Sequence, residues 1–316
     1  MSTHRPLLFI TNDDGIEAIG IRLLVQSLHR LGFPLLVLAP KHNQSATGMR
    51  LNLMKPLDLR NREDLIETWE LEGDAQIHLF DLDGTPCDCV IAALDGGLEF
   101  LNNGAIPSLT VSGVNLGPNM SQDCLHSGTI GAARESSMYG VPSIASSLTV
   151  FDDQHMDVAV SATVQCIETI IGQLPHQAKN IGRKEHGKQP WHIGGKHGSY
   201  EADDLHHAFS HGDLFLNLNI PPRWNSEWKS TRLGVRWYKN AVSIKSDENQ
   251  MTTTFTIGAS TIDMSTVESG DCDAIEEEFG SISSLSTWPQ THPFSLSENL
   301  LTYAFRHYEG FPSWLK

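Results

Sequence analysis

The sequence predicts an α/β fold built on a mostly parallel sheet with helices on both faces, and three observations predict it. Apolar runs at 7–11, 35–39 and 108–112 are short and bounded by Gly, Pro or polar residues, as buried strands are. Ile21, Leu24, Leu28 and Leu31 recur at helical spacing over 17–31, and Gly32 stops that helix. Strand, helix and strand within about 35 residues make a βαβ unit, which implies parallel strands and a right-handed crossover.

The first strand ends in Thr11-Asn12-Asp13-Asp14-Gly15. At the C-terminal end of a buried strand, this carboxylate pair faces the crevice where open sheets bind ligands. Adjacent aspartates repel unless a cation or proton lies between them. The simpler alternative is a turn, for which these residue types are good chemistry. The second strand repeats the layout with the polar loop from Lys41 to Gly48. Residues 51–82 read as a less regular excursion, with a charged run from Arg60 to Glu67 and an apolar alternation near Ile77. Gly84-Thr85-Pro86 is a turn into a helix over 87–94.

The third strand opens into a long aperiodic loop, Ser112 to Thr129, followed by a small-residue helix over 129–139. A polar Gly-rich loop entering a helix N-terminus is an anion site, because free N–H groups and the helix dipole face the ligand. Taken alone it reads more simply as a surface turn with a Ser or Thr cap. Three strand ends with oxygen-rich loops together point to one site.

A strand at 143–148 and an amphipathic helix at 153–174 follow, with Met156, Val160, Val164, Ile167, Ile171 and Leu174 on one stripe. Residues 175–212 hold seven of the 15 His and show almost no apolar periodicity. Their spacings fit no metal-ligand pattern, so they read as a mobile insertion dispensable for folding. Residues 214–220 are a core strand ended by Pro221-Pro222. Residues 232–240 and 251–258 alternate polar with apolar and read as one β-hairpin. An isolated hairpin is marginally stable in water, so it must pack on something. Ser295 with Glu298 makes a capping box for a last helix over 296–308. The expected organisation is a core at 1–222 and a C-terminal segment at 223–316.

The chain has 316 residues, 22 basic and 38 acidic, with a formal charge of −16. A nucleic-acid polymer is excluded as partner, since that needs a basic face. No run has membrane length, and the short polar start before the first strand leads us to expect no leader. Five Cys, with Cys87 and Cys89 two apart, make neither a metal set nor a disulfide framework. Reduced thiols in the cytoplasm are the expectation.

The chain resembles the SurE family of survival-protein nucleotidases. The carrying residues run Thr11 to Ile16, Asn43 to Gly48, Gly84 to Val90, Val111 to Asn115, and Ser127-Gly128-Thr129. Weaker matches lie at Pro142–Ala145, Leu216–Pro221, and Gly270-Asp271 to Ser281-Ile282. The resemblance implies a Rossmann-like core, a hairpin arm used for association as a homodimer or homotetramer, and hydrolysis of nucleoside 5'- and 3'-monophosphates with short polyphosphate. It places one divalent metal per subunit on Asp13, Asp14, Ser45 and Asn115. These are oxygen donors only, a set that suits Mg²⁺ or Mn²⁺. It gives Ser127, Gly128 and Thr129 to the phosphate, with Asn43 and Asn119 as added amide donors. Asp13, Asp14, Asp123 and His292 are the implied catalytic residues. Asp123 would orient water or its loop, and His292, at the matching spacing after Ser281–Leu285, would give a proton to the leaving oxygen. His126 stands where many members carry Tyr. Two other classes remain open: a non-catalytic nucleotide-binding protein on the same fold, and a nucleotide-sugar enzyme, against which the lack of a second nucleotide-binding half argues.

Overall fold

Alternation along the strands decides which face each residue buries, and helices cover both faces. The computed structural model describes residues 5–183, 202–247, 251–258, 261–305 and 310–315. The strands are β1 (Leu8–Thr11), β2 (Leu35–Pro40), β3 (Leu59–Asn61), β4 (Ile77–Leu82), β5 (Leu109–Leu116), β6 (Ser143–Leu148), β7 (Leu214–Ile220), β8 (Trp228–Thr231), β9 (Val235–Lys239), β10 (Val242–Asp247), β11 (Thr252–Ile257), β12 (Thr261–Ser265) and β13 (Gly280–Ser286). The helices are α1 (Ile19–Arg30), α2 (Asp64–Thr68), α3 (Pro86–Leu94), α4 (Leu98–Asn102), α5 (Asp123–His126), α6 (Gly128–Met138), α7 (Met156–Ile171), α8 (Ala202–Ser210), α9 (Asp271–Glu276) and α10 (Glu298–Ala304). Nine strands form one sheet in the order β3-β4-β2-β1-β5-β6-β7-β13-β8. The six strands from β4 to β7 are parallel; β3 and β13 run against their neighbours β4 and β7.

Leu8, Ile10, Leu35 and Val37 face one side, with Ile21, Leu24 and Leu28 of α1 and Met156, Val160 and Ile167 of α7. Phe9, Leu36 and Leu38 face the other, beneath Val90, Ala93 and Leu94 of α3. Residues buried on both faces read as continuous apolar runs, which is why these strands were legible without a period of two.

Burial also catches charge. Glu135 of α6 is 7% exposed. Burial, and then the Asp88 charge, pushes its carboxyl up from the ordinary 4.5 to about 7. The folded state therefore holds this proton more tightly than the unfolded chain. Stability from this site is present below the ordinary carboxylate range and is lost as pH rises toward 7. Glu135→Gln is expected to match the parent at pH 4 and to be more stable at pH 8, by on the order of 2 kcal/mol. Denaturant unfolding at the two pH values checks this; equal stabilities at pH 8 would contradict it.

Several sequence expectations are corrected. The 51–82 excursion contributes β4, a parallel strand against β2, and the short edge strand β3. The third strand runs to Leu116, past a cis Gly113–Val114 peptide and a register shift. The 153–174 helix is a 3-10 turn followed by α7, which ends at Ile171. The last helix is 298–304, and its cap is Ser297, which accepts from Leu300 N, rather than Ser295.

The largest correction concerns 175–212. Its described residues are packed. Ala178 and Asn180 are buried, and α8 inserts Leu205, Ala208 and Phe209 into the main core. Those three are an i, i+3, i+4 stripe, a helical signal hidden by the surrounding His and Asp. Arg183 ion-pairs with buried Asp213 at 2.5 Å and donates to the backbone oxygens of Ser137, Met138 and Gly212. Residues 184–201 lie outside the described residues. The 232–240 and 251–258 stretches do not pair with each other. β9 pairs with β12 and β10 with β11, so the arm is a long two-segment ribbon.

Candidate active site

The chain leaves β1 toward β2 and β4 on one side and later returns to place β5 against its other edge, pairing Thr11 with Ser112. A sheet whose order reverses there opens a crevice at the carboxyl ends of β1 and β5. Asp13, Asp14 and Asn115 belong to those two strand ends. A cleft of about 200 Å³ occupies the crevice. Asp13, Ser45, Asn115, Asn119, Asp123 and Ser127 line it, each predicted from sequence. Larger clefts of about 380, 810 and 280 Å³ lie elsewhere among the described residues, and none of these is lined by more than one carboxylate.

Asp13 is 3% exposed, and its Oδ1 accepts from Thr129 Oγ1 at 2.5 Å. The backbone of Thr129 also hydrogen-bonds this carboxylate. The N-terminus of α6 is thus aimed at Asp13, and Thr129, expected to bind phosphate, also holds this aspartate. Gly128 makes the approach possible, since a Cβ there would lie 2.8 Å from Asp13 Cβ. Burial first, and then the charge of Asp14, pushes the Asp13 carboxyl up to about 7 despite those bonds. Asp14 accepts from Leu116 N at 3.1 Å and from Asn43 Nδ2 at 3.2 Å. Its pKa is also raised by burial, which those bonds oppose.

Asn115 commits its amide nitrogen to Gly117 O at 2.8 Å, so its carbonyl oxygen is the atom it could offer a cation. Asn43 accepts from Ser45 N, which ties the Ser45 loop to Asp14. Ser127 caps α6 by accepting from Ile130 N. Asn119 is buried, and its amide donates to Ser147 Oγ, while its backbone oxygen accepts from Asn217 and Asn219. Asn119 therefore fixes the loop as well as lining the cleft.

A divalent cation fits these groups. A buried carboxylate, Asp13, stands beside a half-buried one, Asp14, and a cation between them would relieve both repulsion and desolvation. Among the described residues no group of three or more His, Cys, Asp or Glu is placed to hold a metal ion. The oxygens these residues could offer are two carboxylates with neutral oxygens, a composition that suits a hard cation that keeps waters.

Asp123 lines the cleft but is engaged from the arm. Tyr238 hydrogen-bonds to it, and Arg236 Nη1 lies 3.6 Å from its Oδ2, an ion-pair separation. Burial raises its pKa, and these two partners oppose the rise. Buried Asp271 accepts from Gly234 N of the arm base and from Ser121 N of the cleft loop. Arg236 N donates to Ser121 Oγ. Sequence reasoning missed Arg236, Tyr238 and Asp271 as site neighbours, because no local pattern signals a contact across more than a hundred residues.

His292 is not in the site. β13 runs antiparallel to β7, so Ser286 pairs with Leu214 at the opposite edge of the sheet. His292 follows there, stacked on Trp288 at 4.4 Å with its Nδ1 accepting from Phe294 N. The imidazole that lines the cleft is His126.

This fold and site define a class: an α/β protein with an acidic, oxygen-lined cleft at the sheet's switch point. Residues 8–240 match the family model described as Survival protein SurE. The chain is 34% identical over 247 residues to a 5'-nucleotidase SurE of Prochlorococcus marinus strain MIT 9301, covering 77% of this chain and 74% of that one. It is 31% identical over 282 residues to the 5'-nucleotidase SurE of Syntrophotalea carbinolica, covering 88% and 90%. A crystal structure of the SurE protein from Aquifex aeolicus superposes with a TM-score of 0.64 at 25% identity, covering 90% of this chain and 95% of that one. The chain belongs to the SurE family.

All five cysteines are buried and free, in line with the expectation of reduced thiols. Among the described residues no helix is long and apolar enough to cross a membrane.

Proposed function

We propose that the chain is a metal-dependent phosphomonoesterase that hydrolyses nucleoside 5'-monophosphates to nucleoside and phosphate. Nucleoside 3'-monophosphates and short polyphosphate are proposed as further substrates. The observation that carries the reading is Asp13 lining one cleft with Asn115 and Ser45, with Asp14 beside it close enough for its charge to act on Asp13, in a chain whose relatives are named 5'-nucleotidases. Asp13, Asp14, Ser45 and Asn115 would hold one Mg²⁺ or Mn²⁺ per subunit. That ion would polarise a phosphoryl oxygen and lower the pKa of a water. Ser127 and Gly128 lie where the phosphate would sit, and Asn43 and Asn119 orient the loops around it. Asp123 positions the cleft loop. His126, rather than His292, is the imidazole within reach of a leaving oxygen. Phosphate release from a nucleotide panel, with and without chelator, tests the reading. Nucleotide binding without turnover would favour the non-catalytic alternative, and turnover unaffected by excess chelator would remove the metal.

The same reading places the protein in the cytoplasm, with support from its unpaired thiols, and makes it a homodimer or homotetramer. The arm exposes Trp237, Ile244, Met251, Phe255 and Ile257, more apolar surface than a solvated ribbon leaves uncovered. Exchange of such an arm between identical chains is a low-cost route to a symmetric dimer. Because Arg236 and Tyr238 belong to the cleft, only β10 and β11 should be removed. Replacing 242–257 by a short turn is expected to give a monomer by sedimentation. Sedimentation of the intact chain as a monomer would overturn the arm's role.

A further inference from the structure

The cleft has two chemically different ends. Asp13, Ser45, Asn115 and Ser127 make one polar, and Phe151 and Tyr238 line the same cleft with aromatic rings. Phe151 is 76% exposed. Its ring is nonetheless seated, because it lies directly against Gly117. That glycine has φ +122, and a Cβ on it would come within 2.5 Å of the ring Cε1. Gly117 is also the residue whose carbonyl orients Asn115. The ring is thus held at a fixed relation to the polar end. Tyr238 is fixed as well, with the Arg236 guanidinium 5.2 Å from its ring centroid and Asp123 on its hydroxyl.

A large apolar face left in water beside a polar cleft is worth explaining by what lies on it. We propose that Phe151 is the platform on which the nucleobase of the substrate stacks. This rests on the nucleotide reading of the cleft, and it adds how the base is recognised. A phosphate beside Asp13 leaves the sugar and base directed out of the cleft, where the flat partner of an aromatic ring is a base. Leu116, Gly117 and Pro118, which carry the cleft wall next to the ring, present no side-chain hydrogen-bonding group to a base edge. Recognition is through the π-face, which every base has, so the enzyme accepts all bases and favours the larger purines.

The test compares adenosine 5'-monophosphate with ribose 5-phosphate, which has the same phosphate and sugar but no base. The kcat/KM ratio of the two is measured for the parent, Phe151→Ala and Phe151→Trp. Phe151→Ala is expected to lower the ratio by about tenfold, and Phe151→Trp to restore it. An equal loss on both compounds would show that the ring only supports the Gly117 loop, and would overturn the proposal. If the parent turns over no nucleotide, the hydrolase reading fails by itself. Calorimetric titration of the same two compounds then decides the platform: selective weakening of the adenylate by Phe151→Ala supports it. An unchanged binding ratio, or no adenylate binding, overturns it.

Discussion

Asp13→Asn is expected to lower kcat for nucleotide hydrolysis by roughly a thousandfold, with no loss of folding stability. The charge is what the proposed cation would need; the substitution removes it and turns one of the two acceptor oxygens into an amide NH2. Asn has the same shape and keeps an oxygen to accept from Thr129 Oγ1 at the head of α6. It also ends the cost of burying the charge and its repulsion with half-buried Asp14, which in that order raise the Asp13 carboxyl to about 7. Phosphate release and thermal unfolding, measured on the same preparation, separate the two effects. A variant with near-parental kcat would sink the proposed metal role, and one that fails to fold would show the charge to be structural.

Phe209→Ala is expected to destabilise the protein by about 3–5 kcal/mol, the usual cost of emptying an aromatic site in a core. Phe209 is fully buried in α8 and meets Trp314 edge-on at 5.9 Å, closing the core under the C-terminus. For a chain of this size the loss corresponds to a fall in Tm of roughly ten degrees. A change of under about 1 kcal/mol would restore the view that this part of the chain is a dispensable insertion.

Why one helix was legible and another was not follows from the residues around them. Ile21, Leu24 and Leu28 stand in a stretch with few charges, and the stripe is plain. Leu205, Ala208 and Phe209 carry the same spacing inside Asp203, Asp204, His206 and His207, so average polarity hid the period. Of the residues that line the cleft, Asp13 and Ser127 stand at a strand end and a helix start that the local pattern marks, whereas Asn115 was named only through the family resemblance. Thr129 stands at the head of α6 as expected, but its hydrogen bond to Asp13 was not foreseen, since what faces a helix N-terminus is decided by tertiary approach. His292 was misplaced because spacing along the chain does not say which edge of the sheet an antiparallel strand reaches. Arg236 and Tyr238 could not be found at all, being delivered by a ribbon that crosses back to the cleft.

Asp271 has a consequence for how this molecule would respond to its own assembly. One buried carboxylate holds Ser121 of the cleft loop and Gly234 of the arm base together. Any rotation of the arm base must therefore break or drag the loop that carries Asp123. If the arm makes the proposed subunit contact and that contact shifts nucleotide affinity by some factor, thermodynamic reciprocity requires nucleotide to change the strength of the contact by the same factor. Subunit concentration would become an effector of the cleft, and substrate an effector of assembly.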